Sequence, residues 1–197
     1  MQYTIQFQTD HLERSLAAVR REFASPHVML AGIGEALLRV NTDRHEKGQA
    51  PDGTPWKPLA AGTIASQAWS KQGKEWREKK ATNIEAGRKA ASRRILYQHG
   101  DLLRFHYQVA GAELFIGTND RKAAWHHSGT GTYGPKGKPY VIKPINKKAL
   151  AFAGHVVKRV NHPGIPARPL VGYPAADEQL VKDVSHDHLT AVLKAVR

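Results

Sequence analysis

The sequence predicts an α+β fold in which N-terminal helices pack on a small antiparallel sheet and a C-terminal helix closes the chain. Apolar residues recur at helical spacing over residues 10–46 and again after Asp177, and short strand patterns lie between them. No strand–helix–strand alternation and no internal repeat interrupts this order. A length of 197 residues suits one core, so we expect residues 1–197 to form a single domain.

The N-terminal elements follow from periodicity and capping. Residues 2–8, QYTIQFQ, alternate apolar and polar side chains and predict a half-buried strand. Asp10 with Glu13 three residues later predicts the cap of a helix over residues 10–24. Ser25 followed by Pro26 predicts the start of a second helix that runs to about Glu46. The first helix places four apolar residues on one face: Leu12, Leu16, Val19 and Phe23.

The second half of the chain predicts strands and one last helix. Residues 95–102 indicate a helix end and a turn, and residues 105–118 predict a hairpin that reverses at Ala110-Gly111-Ala112. Two further strands, in 139–145 and 149–160, are predicted to be joined by a turn at Asn146-Lys147-Lys148. Apolar residues spaced by three and four from Asp177 onward predict the closing helix.

The stretch PDGTPWKPL, Pro51 to Leu59, cannot be a helix or a central strand because three prolines and a glycine interrupt it. A rigid turn of this kind aims one side chain, here Trp56, at a chosen surface. Two interpretations stay open. Trp56 either covers the core of its own chain or anchors a binding loop.

Residues 60–94 predict a long basic insertion, helical or mobile, because they offer little apolar surface to bury. The interpretations are a solvated basic face and a surface for nucleic acid or an acidic partner, since Trp69 and Trp76 lie among the cations. The possible DNA-facing residues are Lys71, Lys74, Arg77, Lys79, Lys80, Arg88, Lys89, Arg93 and Arg94.

Composition favours a polyanionic partner and excludes thiol chemistry. The formal net charge is +13 and the pI is near 10.1, so contact with nucleic acid is favoured over contact with a basic partner. The absence of cysteine excludes disulfides, thiolate metal sites and a cysteine nucleophile. We expect a soluble protein without a signal peptide, because no basic leader and no membrane-length apolar run is present.

No pattern in the sequence predicts catalysis, a cofactor or a metal. Gly129, Gly131 and Gly134 match a dinucleotide-binding glycine motif, but the prolines that follow forbid the helix this motif needs. We expect residues 128–139 to be a flexible loop. The 11 histidines, including His126-His127, suggest a metal-dependent nuclease only weakly, because acidic ligands are missing nearby.

Four stiff segments, PDGTPWKPL, HGDLLRFH, FIGTNDRKAAWHHSG and HPGIPARPLVGY, together resemble the phage virion morphogenesis family of tail completion or head–tail joining proteins. The resemblance covers roughly residues 25–195. The family-motif residues, which are the candidate interface positions, are Pro51, Asp52, Gly53, Trp56, Gly117, Thr118, Asn119, His126, Ile165, Pro166, Arg168 and Pro169.

The resemblance implies a non-enzymatic structural protein at the neck of the virion, assembled in the host cytoplasm as a ring of about six copies. Its implied partners are further copies of itself, portal-side head connector proteins, tail terminator or tail tube proteins and genomic DNA in the lumen, with no membrane. Arg168 is interpreted either as an interface residue or as an intrachain cap on a carbonyl or carboxylate.

Two other functions stay open at this point. A non-sequence-specific nucleic-acid-binding module is the main alternative, and it rests on the charge of +13 and on the Trp-, Lys- and Arg-rich stretch. The metal-dependent nuclease ranks far below both.

Overall fold

The computed structural model describes residues 4, 8–60, 95–96, 101–152 and 155–196. Its helices are α1 (Asp10–Ala24), α2 (His27–Lys47), α3 (Arg121–Ser128) and α4 (Ala175–Ala195). Its strands are β1 (His106–Ala110), β2 (Glu113–Gly117), β3 (Tyr140–Ile142), β4 (Leu150–Phe152), β5 (His155–Val157) and β6 (Val160–His162). Helices with small antiparallel sheets confirm the α+β prediction. The predicted strand at 2–8 and the basic insertion lie almost wholly outside the described residues.

The three long helices lie close to their predicted bounds. Helix α1 begins one residue away from the predicted cap: Asp10 is its first helical residue, and Thr9 occupies the cap position. The prediction that Asp10 caps this helix is therefore wrong. The Thr9 hydroxyl donates to Glu13 Oε1 at 3.0 Å, so the contact across the first turn is kept by the preceding residue. Helix α2 opens where the Pro26 carbonyl accepts from the Leu30 N–H at 2.8 Å.

The contacts of the described residues group into two compact units, and the division falls within α2 after Val40. Of the described residues, unit 1 comprises those within 4–40, 105–117 and 173–196, and unit 2 comprises those within 41–60, 95–96, 101–104, 118–152 and 155–172. The single domain expected from length stays a prediction. No helix in the described ranges is long and apolar enough to span a bilayer.

In unit 1, helix α2 packs on the β1–β2 hairpin. A Cβ added at Gly34 of α2 would come within 2.7 Å of the Tyr107 ring of β1, so this position requires glycine for the close approach of helix and strand. The Tyr107 hydroxyl donates to Glu35 at 3.2 Å. Helix α1 contacts α4, where Glu22 pairs with His188 at 2.8 Å.

The β1–β2 hairpin confirms its prediction. Ala110 pairs with Glu113, which leaves Gly111 and Ala112 as a two-residue turn. Gly111 has φ +61°, a conformation that a tight hairpin turn requires and that costs glycine little.

The predicted pairing of the later strands is wrong. Instead of one hairpin through residues 146–148, β3 pairs with β6 and β4 pairs with β5, both antiparallel. Pro144 cannot donate to a strand ladder, so β3 ends at Ile142. Residues 149–160, predicted as one strand, contain β4 and β5, which pair with each other along their full length, and the first residue of β6.

Helix α3 is a further element that the sequence analysis missed. Asp120 caps it by accepting the Lys122 N–H at 2.8 Å, and Gly129 follows its last residue. Beyond it, residues 131–133 form one turn of 3-10 helix inside the segment predicted as a flexible loop. The flexibility of residues 128–139 stays a prediction, but residues 130–132 are hydrogen-bonded to residues 163–165.

Candidate functional site

The PDGTPW turn is held by hydrogen bonds among its own backbone groups and that of the preceding Ala50. The Ala50 N–H donates to the Thr54 carbonyl at 2.8 Å, and the Gly53 N–H returns a bond to the Ala50 carbonyl at 2.9 Å. The Thr54 N–H also donates to Asp52 Oδ1, and this bond lowers the pKa of the exposed Asp52 carboxyl. These local bonds make a preformed turn with a charged, exposed tip.

Trp56 leaves this turn and points into unit 2. Its side chain is only 6% exposed, and its indole N–H donates to the Pro169 carbonyl at 3.0 Å. The indole also packs edge-to-face on the buried His45 ring at 5.1 Å between centroids. Of the two interpretations of Trp56, the structure therefore shows the one in which it covers the core of its own chain.

Residues 163–170, which we call the strap, are fastened along their length to the end of α3 and the loop after it. The Thr130 N–H donates to the Ile165 carbonyl at 2.9 Å, and the Ile165 N–H returns a bond to the Thr130 hydroxyl at 3.0 Å. Further along, the Arg168 N–H donates to the His126 carbonyl, and the Leu170 N–H donates to His127 Nδ1 at 3.3 Å. The strap therefore brings the IPARP motif against the HH motif.

Arg168 ties the strap to the turn. The residue is 2% exposed, its Nε donates to the Lys57 carbonyl at 2.9 Å, and its Nη2 donates to the Pro58 carbonyl at 3.1 Å. Of the two roles predicted for Arg168, the structure shows the intrachain cap, because the guanidinium donates to carbonyls of its own chain. The planar fork of a guanidinium suits two adjacent acceptors in a way that an ammonium does not.

The surroundings of two imidazoles in this region, those of His45 and His126, disfavour their charged forms. Burial lowers the pKa of His45 from 6.5 to about 4. Burial also lowers the pKa of His126, and the nearby positive charge of Arg168 adds to the effect. His126 Nδ1 is buried without a hydrogen-bond partner, which is consistent with an imidazole that stays uncharged.

The predicted motif residues therefore divide into two groups. The structure gathers Trp56, His126, Arg168 and Pro169 into one place, which we call the motif cluster, with Ile165 and Pro166 half-buried in the strap. Gly117, Thr118 and Asn119 instead lie between β2 and α3, where the Thr118 hydroxyl accepts the Asp120 N–H at 3.3 Å.

The remaining members of the motif lie on the turn. Pro51 packs against Gly172, where an added Cβ would come within 2.9 Å of the proline ring, while Asp52 and Gly53 are exposed at the tip. The nine cations predicted to face DNA, at 71–94, lie outside the described residues.

Several contributors to the cluster were missed by the sequence analysis. His45, His127 and Thr130 were not assigned positions in it, although His45 contacts Trp56 and the other two accept hydrogen bonds from the strap. His45 lies in the last turn of α2, three residues before Gly48, and Thr130 lies between Gly129 and Gly131. All three glycines have positive φ, so glycine marked a turn near each of these residues in the sequence. What no sequence signal showed is that these turns face one another.

The arrangement supports structure rather than chemistry. The cluster is made of carbonyl acceptors, a guanidinium donor and imidazoles whose pKa values are lowered, and among its described residues it presents no activated nucleophile. Among the residues that the structure describes, no group of three His, Asp or Glu side chains could hold a metal ion.

Comparison with known families identifies the chain. The family model described as the phage virion morphogenesis family matches residues 7–190. The chain belongs to this family. Neither a curated protein nor a solved structure matches it. The match covers both compact units of this virion morphogenesis protein and all the motif residues named above.

Membership confirms the predicted family and gives the protein a structural role in the phage virion. Because Trp56, Arg168 and Pro169 are used within the chain, this part of the motif contributes to the fold of a virion morphogenesis protein. The candidate interface roles of the motif residues stay predictions.

Proposed function

We propose that this virion morphogenesis protein completes the phage tail and joins it to the head at the neck, as a ring of about six subunits around the DNA channel. The family match over residues 7–190 carries the proposal. The protein would act without catalysis, assemble in the host cytoplasm and contact portal-side connector proteins on one side and tail terminator or tail tube proteins on the other.

A ring of identical subunits requires two different contact faces on each chain. Unit 1 offers an apolar stripe on α1, where Leu12, Leu16 and Phe23 are 57%, 60% and 59% exposed. These residues are spaced by four and seven, so they share one face of the helix. Such a run of exposed apolar side chains is typical of a surface that another protein covers.

Unit 2 offers exposed aromatic residues that are suitable for a second face. Trp125 on α3 is 57% exposed, and Tyr133 in the 3-10 turn is 48% exposed with Lys57 Nζ 5.9 Å from its ring centroid. Three of the motif residues are exposed: Asp52 and Gly53 at the tip of the turn, and Asn119 just before α3. Tryptophan and tyrosine are enriched at the centres of protein interfaces, which supports this choice.

The experiment combines mass in solution with copy number in particles. Light scattering on the purified protein and quantitative mass spectrometry of purified virions should give about six subunits per ring, or about twelve for two stacked rings. A phage that lacks the protein should accumulate unjoined heads and tails in electron micrographs, and the supplied protein should join them. A strict monomer that is absent from virions would contradict the proposal.

A non-sequence-specific nucleic-acid-binding module is the second candidate, and the net charge of +13 favours it. It predicts tight, salt-sensitive binding of DNA by the isolated chain together with normal virion assembly in its absence. The particle experiment therefore separates the two functions.

A further inference from the structure

The stretch between Asp120 and Asp177 has an unusual charge pattern. Residues 121–176 contain no Asp and no Glu. The same stretch holds ten cationic residues: Arg121, Lys122, Lys136, Lys138, Lys143, Lys147, Lys148, Lys158, Arg159 and Arg168. Arg168 is buried in the motif cluster, where its guanidinium donates to two backbone carbonyls, and the other nine cations lie outside that cluster.

Strand register brings five of them to one place. Ile142 pairs with Val160, so Lys143 and Arg159 continue the β3–β6 ribbon beyond the same end. Leu150 pairs with Val157, so Lys148 and Lys158 lie just beyond one end of the β4–β5 ribbon. The two links between the ribbons, residues 143–149 and 158–159, therefore meet here. We call Lys143, Lys147, Lys148, Lys158 and Arg159 the basic corner.

The basic corner is free to bind a ligand. All five residues are exposed, and none of them forms an ion pair within the described part of the chain. No carboxylate in residues 121–176 reduces the local positive field of these five cations. A field of this sign attracts a polyanion.

We propose that the basic corner binds the phosphate backbone of double-stranded DNA without reading its sequence. Four of the five cations are lysines, whose ammonium groups act as point charges on phosphate rather than as forks that select a base or a carboxylate. Ile145, in the link that carries three of these lysines, is 96% exposed, and an apolar side chain of this kind can lie against sugar or groove surface. The inference deepens the proposed function by naming residues that would face the genome, and it rests on that function only for the source of the DNA.

The test compares two variants of the full chain that lose the same charge. The corner variant replaces all five basic-corner residues with Gln. The control variant replaces five exposed cations that lie outside residues 121–176 with Gln: Arg20, Arg21, Arg39, Lys47 and Lys194. Binding to a duplex of arbitrary sequence is followed by fluorescence anisotropy as a function of salt concentration.

The corner variant should bind the duplex at least about tenfold more weakly at 0.1 M salt, and its log–log salt slope should be shallower by about four, as expected for five lost phosphate contacts. The control variant should change affinity by less than about threefold. Equal losses in both variants, or no loss in either, would overturn the proposal. So would a corner variant that keeps its duplex affinity but loses binding to polyglutamate, because that result indicates an acidic protein surface.

Two further measurements keep the test decisive. If the fivefold variant fails to fold, the double variant Lys147→Gln/Lys148→Gln, which changes only the link outside the strands, should still reduce the slope by about two. Copy number in virions, measured on the same variants, reports on neck assembly separately. Failure of the DNA proposal and failure of the neck proposal are thus distinguishable.

Discussion

Arg168 shows how a charged residue becomes part of the fold. Its guanidinium is buried on the carbonyls of Lys57 and Pro58, so both the charge and the planar fork are used inside unit 2. A charged donor to a carbonyl contributes more than a neutral one, and a buried cation that loses either bond is left with an unsatisfied donor.

Arg168→Lys should therefore destabilise the protein by about 2 to 3 kcal/mol, because an ammonium cannot reach both carbonyls in the same geometry. The exposed Arg159→Lys is the matched control and should change the free energy of unfolding by less than about 0.5 kcal/mol. Urea denaturation followed by circular dichroism measures both. Equal stability of the two variants would show that the fork is dispensable.

His45 makes the stability of the protein depend on pH. Its pKa is about 4 in the folded chain, against 6.5 as the ordinary value, because burial disfavours the imidazolium. Between these values the unfolded chain binds a proton that the folded chain does not. The contribution is therefore fully present above pH 6.5 and is lost as the pH falls toward 4, up to about 3 kcal/mol.

His45→Phe should remove this part of the pH dependence while keeping an aromatic ring against Trp56. Urea midpoints at several pH values between 4 and 7 measure the slope for the natural protein and the variant. The lowered pKa of His126 adds a slope of the same sign that remains in the variant. An unchanged slope in His45→Phe would contradict the assignment.

At the scale of elements, the strap and the loop after α3 depend on close backbone approach. A Cβ at Gly131 would come within 2.5 Å of the Pro163 carbonyl oxygen, and one at Gly164 would overlap the Thr130 carbonyl oxygen. Each overlap would push the strap away from the bonds that hold it to residues 126–132. The glycines in this segment are therefore packing requirements as well as turn residues.

Gly131 and Gly137 form a matched pair for testing this point. Their φ values are +62° and +59°, but nothing lies within 4 Å of a Cβ at Gly137. Gly137→Ala should cost about 1 kcal/mol from the backbone conformation alone, whereas Gly131→Ala should cost more than about 3 kcal/mol. Thermal denaturation measured side by side would reveal the difference, and similar melting temperatures would refute it.

At the scale of the whole molecule, the exposed stripe of α1 bears on assembly. Leu16 is 60% exposed, so a charge placed there costs the isolated subunit little but would be buried in a subunit contact. If α1 forms one ring face, Leu16→Glu should yield monomers. Ala17→Glu lies on the same helix off the stripe and should assemble normally.

Analytical ultracentrifugation measures this comparison, with circular dichroism confirming that both variants fold. Loss of assembly in both would show a general effect of added negative charge on α1. Normal assembly in both would place the ring contacts elsewhere on the chain.

The four stiff segments together indicated the family, and local sequence signals determined the bounds of α1, α2 and α4 and the reversal of the β1–β2 hairpin near Gly111. These features depend on neighbours within a few residues, where periodicity, capping and proline leave few conformations. Only the tertiary structure decided that β3 pairs with β6, that Arg168 caps carbonyls more than a hundred residues away and that five cations meet at one corner. Such contacts depend on register and close packing between distant segments, which no local pattern specifies.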